Sequence, residues 1–291
     1  MYIPETFTIN LDSSPDQRWK DVVDRYKDRF PRVIQEIDRI LASSGYLGTV
    51  ALWLCNVFTF FGSIMYKEEL KSIARMAGIP LNKLILMQIC YEMFSACTSL
   101  VMKRSDDTNV HFRTMDWEMD FLKDLTINVD FTRNGKTVFR GITWAGYVGI
   151  VTGMNWDYSV ALNYRRSNGT LMKNVMRTMA MKWPVGYLVR HTLENSSNGY
   201  EEALNIFSKY QLISPCYITL CSADHDATVI VRECDRVARV RYLNSMEYIV
   251  QTNCDDERDP NNIMWSHERV AKVRQIMNSF RVDGASVKNI F

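Results

Sequence analysis

The sequence predicts an α+β protein, with two packed β-sheets covered by helices and preceded by a mostly helical segment. Three observations carry that prediction. Apolar residues recur at helical spacing through most of residues 1–96. From Cys97 onward the pattern changes to short segments rich in β-branched and aromatic residues. The order from there is strands, helices, strands and a final helix, which lacks the regular βαβ alternation of a parallel sheet. A chain of 291 residues, 47% hydrophobic and 23% charged, has ample material for such a core.

Each element has its own local reason. Residues 17–41 align Trp19, Val22, Tyr26, Phe30, Val33 and Ile37 on one helical face opposite charged residues, and Pro31 is expected to divide or kink the run. Residues 42–66, ASSGYLGTVALWLCNVFTFFGSIMY, carry no charge and approach the length of a membrane span. Glycines and polar residues dilute the stretch, so a buried or membrane-surface helix is expected in preference to a span. Gly78 and Pro80 predict a helix end and a new start. Then "CTSLVM", "VHFRTMDW", "LTINVDF" and "KTVFRGITW" read as strands, the last two joined by a hairpin at Asn134-Gly135. "YVGIVTGMNWDYSVALNYR" reads as a second hairpin turning near Asn155. Helices return over about 171–208, with breaks at Pro184 and Asn198-Gly199. Four further strands, "CYITLC", "ATVIVREC", "ARVRYL" and "YIVQTNC", precede a last helix near 265–280. The expected domains are residues 1–96, helical, and residues 97–291, holding both sheets.

Composition excludes some functions. A net charge of +2 with scattered basic residues gives no electrostatic basis for nucleic-acid binding. Seven cysteines without a C-x-x-C pair, and four histidines far apart, give no metal-ligand spacing. No metal and no cofactor is predicted. The opening "MYIPETFTINLDSSPD" lacks the basic start and apolar core of a signal peptide, which leaves a cytoplasmic location open.

Cys97, in "FSACTSLVM", stands where the helical pattern gives way to strand. A cysteine nucleophile needs a base, and folding could bring His111, His225 or His267 to it. A second route needs no histidine. If the peptide bond before Cys97 is cut, its own α-amine, with an ordinary pKa of about 7.7–8.0, can accept the thiol proton. The same thiol can make the cut: it attacks the Ala96 carbonyl, an N-to-S shift gives a thioester, and water hydrolyses it. The cysteine alone does not choose between these routes and an inert buried thiol.

Several motifs in order give a further reading. "CTS" followed by "FRTMDW", together with "FTINLDSSPDQRW", "LTINVDFTRNGKTVF", "WAGYVGIVTG" and "VQTNCD", resembles the acid ceramidase and N-acylethanolamine acid amidase family. These are N-terminal-nucleophile cysteine amidases of the cholylglycine-hydrolase type. The resemblance implies a four-layer αββα N-terminal-nucleophile hydrolase fold, self-cleavage between Ala96 and Cys97, and hydrolysis of an N-acyl lipid amide. It implies Cys97 as nucleophile and base, Arg113 beside the thiol, Asp116 at the α-amine, and Asn253 and Asn163 as oxyanion donors. Arg269 corresponds to the family's closing arginine, with its register in "SHER" open by one residue. Arg113 and Asp116 are three apart, so a regular strand would place them on opposite faces, and a bend or bulge near Met115 is expected. The resemblance further implies that the two parts stay associated after cleavage, that the partner is an amphiphilic lipid, and that the setting is lysosomal or secreted; the uncharged residues 42–66 are the candidate contact with a membrane surface. Family members continue beyond the last residue here, so a C-terminal truncation is expected. Two alternatives stand beside this reading: an uncleaved, inactive lipid-binding homologue, and a thiol hydrolase using a histidine base. Ceramide and N-acylethanolamine are not told apart.

Overall fold

A computed structural model describes residues 3–43, 45–61, 64–90, 96–104, 108–116, 120–166, 171–195, 199–222, 226–244, 246–256, 259 and 262–283. The chain opens with β1 (Glu5–Asn10), then α1 (Lys20–Tyr26), a 3-10 turn at Lys27–Arg29, α2 (Phe30–Ser43), α3 (Gly45–Phe61), α4 (Lys67–Ala77) and α5 (Leu81–Cys90). The break in the first amphipathic run falls in that 3-10 turn, not at Pro31. Proline is the second residue of α2, a position where its missing N–H costs no intrahelical bond. Gly78 closes α4 with φ of 67°, the left-handed cap expected of it.

Next come β2 (Ala96–Lys103), β3 (Asn109–Asp116), the short α6 (Asp120–Lys123), β4 (Thr126–Arg133), β5 (Lys136–Trp144), β6 (Thr152–Met154) and β7 (Tyr158–Tyr164). Asn134 and Gly135 both have positive φ, 50° and 71°, which suits the tight β4–β5 turn to the twist of its strands. The helices α7 (Leu171–Met179), α8 (Val185–Asn195) and α9 (Gly199–Lys209) follow, then β8 (Cys216–Ser222), β9 (Ala227–Arg232), β10 (Val237–Tyr242), β11 (Tyr248–Gln251) and α10 (Ser266–Asp283).

Among the described residues the strands form an eight-stranded sheet, β1-β4-β5-β6-β7-β8-β9-β10, and a three-stranded one, β11-β2-β3. Alternation along each strand decides the layers. On β8, Ile218 and Leu220 face the main core, which includes Leu188, Val189 and Phe207 of α8 and α9. On the other face Tyr217 packs with Val101 of β2 and Ile249 of β11. Leu100 and Met102 of β2 face Met277 of α10 instead. The order is helices, large sheet, small sheet, helix: four αββα layers.

The division at residue 96 is less clean than the helical pattern suggested. β1 lies in the 1–96 part, yet it pairs in parallel with β4 from Glu5↔Ile127 to Asn10↔Thr132 and forms the edge of the large sheet. Its strands are far apart in sequence, so no local pattern marks the pairing. Trp19, 1% exposed, packs edge-on against Phe131 of β4. The N-terminal part is therefore built into the fold of the C-terminal part.

Candidate active site

The site grows from the pairing of β2 with β3. The register places Cys97 opposite Met115, Ser99 opposite Arg113 and Val101 opposite His111. With side chains alternating, these six residues share one face, which looks onto the large sheet. Three contacts with β7 fix it there: Ser99 Oγ donates to Asn163 Oδ1 at 2.7 Å, Arg113 Nη2 to Leu162 O at 3.0 Å, and His111 Nδ1 meets Ser159 Oγ at 2.8 Å. Cys97 is fully buried between the sheets, at the start of its strand. Arg113 Nη2 stands 3.2 Å from its Sγ and 3.3 Å from Met115 Sδ. That contact sets a positive charge directly against the sulfur.

The register of β3 runs unbroken from Asn109 to Asp116, so the bend or bulge expected near Met115 is absent. Asp116 ends the strand opposite Ala96, beside the bond proposed for cleavage. Its side chain lies outside the described residues, as does His225.

Asn253 follows β11 and reaches the nucleophile from the other side. Its Oδ1 accepts from Cys97 N at 2.8 Å and from Arg269 Nη2 at 2.8 Å. Two donors on one oxygen fix which way the amide faces. Its Nδ2 donates to Tyr164 O at 2.6 Å. Asn163 plays a different part. Its Nδ2 donates to Gln251 O at 2.8 Å and Thr252 O at 3.3 Å, so it ties β7 to the strand end that carries Asn253.

Arg269, on the first turns of α10, sits against Cys97. Its Nη1 donates to Cys97 O at 2.5 Å and Thr98 Oγ1 at 3.0 Å, and its Nη2 reaches Ser266 Oγ at 3.1 Å as well as Asn253. Its Nε donates to Met264 O at 3.1 Å. Met264 and Trp265 hold left-handed φ of 52° and 54°, a conformation costly for side chains of this size that turns the Met264 carbonyl towards Arg269. The structure thus brings together Cys97, Arg113, Asn253 and Arg269, with Asn163 one contact further out.

Two supports escaped the sequence reading. Ser266 Oγ accepts from Asn253 N at 3.2 Å and donates to Ile263 O at 2.5 Å, linking α10 to the asparagine. Asp255 accepts Arg165 Nε and Nη2, each at 2.7 Å, and Tyr217 OH at 2.7 Å, while Arg165 Nη1 reaches Glu233 at 2.6 Å. The Arg165 hydrogen bonds outweigh burial and hold the Asp255 carboxyl below its usual range. This fork anchors the turn two residues after Asn253. The signal for it, an arginine after "LNY" and an aspartate after "TNC", was visible only as two isolated charges.

Neither His111 nor His267 hydrogen-bonds the thiol: His111 pairs with Ser159, and the His267 backbone N–H with Asn262 Oδ1. Burial, with the Arg113 charge adding to it, pushes the His111 imidazole down to about 4, so it is neutral near pH 7. Among the described residues no group of three or more His, Cys, Asp or Glu is placed to hold a metal ion.

A cysteine at the head of a strand between two sheets, with an arginine on its sulfur and an asparagine on its nitrogen, defines a class. It is an amide hydrolase on the N-terminal-nucleophile hydrolase fold. The model of the linear amide C–N hydrolases, choloylglycine hydrolase family, matches residues 97–250, and that of the beta subunit of N-acylethanolamine-hydrolyzing acid amidase matches residues 3–58. The chain is 33% identical over 270 residues to the N-acylethanolamine-hydrolyzing acid amidase of Caenorhabditis elegans, covering 87% of this chain and 75% of that protein. It is also 33% identical over 294 residues to the acid ceramidase of Homo sapiens, covering 87% and 70%. A solved structure of the Caenorhabditis elegans amidase ortholog superposes with a TM-score of 0.54 at 34% identity, covering 62% of this chain and 79% of that one. The chain belongs to the acid ceramidase and N-acylethanolamine acid amidase family of linear amide C–N hydrolases.

Proposed function

We propose that this chain cuts itself between Ala96 and Cys97 and then hydrolyses an N-acyl lipid amide, a ceramide or an N-acylethanolamine, to fatty acid and amine. The observation that carries the reading is the convergence on Cys97: Arg113 on its sulfur at 3.2 Å and Asn253 Oδ1 on its nitrogen at 2.8 Å. In the first step Cys97 Sγ attacks the Ala96 carbonyl, the C–N bond breaks as the nitrogen takes a proton, and water hydrolyses the resulting thioester. The freed α-amine keeps its place on Asn253 Oδ1. Two nearby guanidiniums, of Arg113 and Arg269, disfavour a further positive charge there and keep the amine available as a base.

In turnover the α-amine takes the thiol proton and the thiolate attacks the substrate carbonyl. Collapse of the tetrahedral oxyanion breaks the amide C–N bond, and the α-ammonium returns its proton to the leaving amine. Water, deprotonated by the same amine, then releases the fatty acid from the Cys97 thioester. We assign stabilisation of the oxyanion to Asn253, held in place by Asn163 and Arg269, and orientation of the α-amine to Asp116.

The two parts stay together after cleavage in this reading. β1 is a strand of the large sheet, and Glu69 of the first part pairs with Arg190 of the second at 2.6 Å, both almost fully buried. The substrate is met at a membrane or micelle surface through α3, where Tyr46 and Trp53 are 81% and 61% exposed. No described helix is long and apolar enough to cross a membrane. In this reading the protein works in an acidic, lysosomal or secreted setting.

Incubation at acidic pH followed by intact mass is the direct test. The 33.9 kDa chain should divide into two pieces, the second beginning at Cys97, with amidase activity appearing in step. Cys97→Ala should stay whole and inactive. An uncut chain with full activity, or a Cys97→Ala protein that still cleaves, refutes the mechanism.

A further inference from the structure

Beyond Arg113, away from the thiol, the space between the sheets opens into a pocket of about 430 Å³. Its walls are His111 and Arg113 of β3 facing Asn128, Arg140, Thr152 and Ser159 of the large sheet. These polar side chains stand beside the apolar surface of Val129, Ile142 and Met154. Two of its polar atoms, His111 Nε2 and Thr152 Oγ1, are buried and have no hydrogen-bond partner. They come from facing sheets, and a buried polar atom left unpaired is costly unless something pairs with it.

His111 Nδ1 and Ser159 Oγ share a hydrogen bond at 2.8 Å whose direction follows the tautomer. With Ser159 Oγ turned towards Cys221 O, Nδ1 is the donor and Nε2 of the neutral ring is a lone-pair acceptor. Thr152 Oγ1 supplies a hydroxyl donor. One acceptor and one donor match a hydroxyl group, which gives one hydrogen and accepts another. The charged lining residues are Arg113 at the thiol end and Arg140, which pairs with Asp130 at 3.3 Å. His111 stands one same-face step from Arg113, about 6.6 Å along the strand, so the pocket adjoins the guanidinium that meets the thiol.

We propose that this pocket receives the amine half of the substrate, and that His111 Nε2 and Thr152 Oγ1 bind a hydroxyl carried two carbons from the scissile nitrogen. The inference rests on the amidase reading. That hydroxyl is common to N-acylethanolamines and ceramides, so the same pair of groups serves either amine. Ile142 and Met154, 40% and 54% exposed, border the pocket and offer apolar surface to an amine with an alkyl chain.

The test compares kcat/KM for two matched pairs: N-oleoylethanolamine against N-propyloleamide, and ceramide against its 1,3-dideoxy analogue. The cleaved wild-type enzyme should favour the hydroxylated member of at least one pair by about tenfold or more, and the pair that shows it identifies the amine. His111→Leu and Thr152→Val should each bring that ratio towards one while leaving the deoxy substrate within about threefold. His111→Gln, whose amide oxygen can accept, should keep part of the preference. Equal rates within both pairs for wild type, or a His111→Leu enzyme that slows both members alike, overturn the pocket and leave the amidase standing. A cleaved wild-type enzyme that hydrolyses no amide of either pair overturns both.

Discussion

Glu69→Ala probes the joint between the two parts of the chain. Glu69 is 1% exposed and accepts four hydrogen bonds: Arg190 Nη1 at 2.6 Å, Arg190 Nη2 at 2.8 Å, Arg18 Nη1 at 2.8 Å and Trp19 Nε1 at 2.6 Å. Arg190 is wholly buried and lies 4.1 Å from the centre of the Tyr66 ring. Removing the carboxylate leaves Arg190 with Glu194 and the Val148 carbonyl, too little to balance a desolvated guanidinium. Breaking one side of a buried pair costs about 3–5 kcal/mol. At about 2 °C per kcal/mol for a chain of this size, the melting temperature should fall by roughly 6–10 °C. Differential scanning calorimetry reads this directly, and size-exclusion chromatography of the cleaved protein should show the two parts separating more readily. Replacing both partners, Glu69→Leu with Arg190→Met, should recover part of the loss, because the fully desolvated guanidinium is gone and Glu194, 11% exposed, can turn to water. The effect also has a pH signature. Burial pushes the Glu69 carboxyl up, but the Arg190 charge and the hydrogen bonds outweigh it, and the net position lies below the usual 4.5. The stabilisation is therefore complete above about 4.5 and is lost as pH falls through the lower folded value. A variant melting within 2 °C of wild type at neutral pH would refute the reasoning.

Three further outcomes are expected. Arg269→Lys keeps the charge but loses the fork that spans Cys97 O, Thr98, Asn253 and Ser266, so kcat/KM should fall about 100-fold, as steady-state kinetics on the cleaved enzyme would measure. His111 titrates near 4 when folded against 6.5 ordinarily, so between these values the unfolded chain binds the extra proton. Stability should then fall as pH drops from about 6.5 to 4 and stay level above that range, and urea midpoints for His111→Gln should show a flatter profile. Tyr46→Ser with Trp53→Ser should weaken sedimentation with anionic lipid vesicles and slow turnover of vesicle-borne substrate while sparing a short-chain soluble amide. Equal loss on both substrates would remove α3 from the membrane contact.

Local chemistry made much of the fold legible. The Asn134-Gly135 turn, the Gly78 cap and the change of period at Cys97 each depend on residues adjacent in sequence, and each stands where expected. Pro31 was misread because a proline tolerated in a helix's first turn looks the same in sequence as one that breaks a helix. The membership of Cys97, Arg113, Asn253 and Arg269 in one site was legible through motifs, but their roles were not. Whether Arg269 touches Cys97, or Asn163 holds its amide on two carbonyls, depends on strands and helices separated by tens of residues.

By itself the sequence pointed to the class of fold, the family, the residue proposed as nucleophile and the bond expected to break. Only the tertiary structure decided that β1 completes the large sheet, that Glu69 meets Arg190 across 121 positions, and that Ser266 and Arg165 hold the Asn253 turn. It alone set His111 and Thr152 facing one pocket. The reason is physical: helix periods, caps and turns are encoded by near neighbours, whereas a buried charge or an unpaired polar atom acquires its meaning from whatever the packing of distant segments places within hydrogen-bond reach.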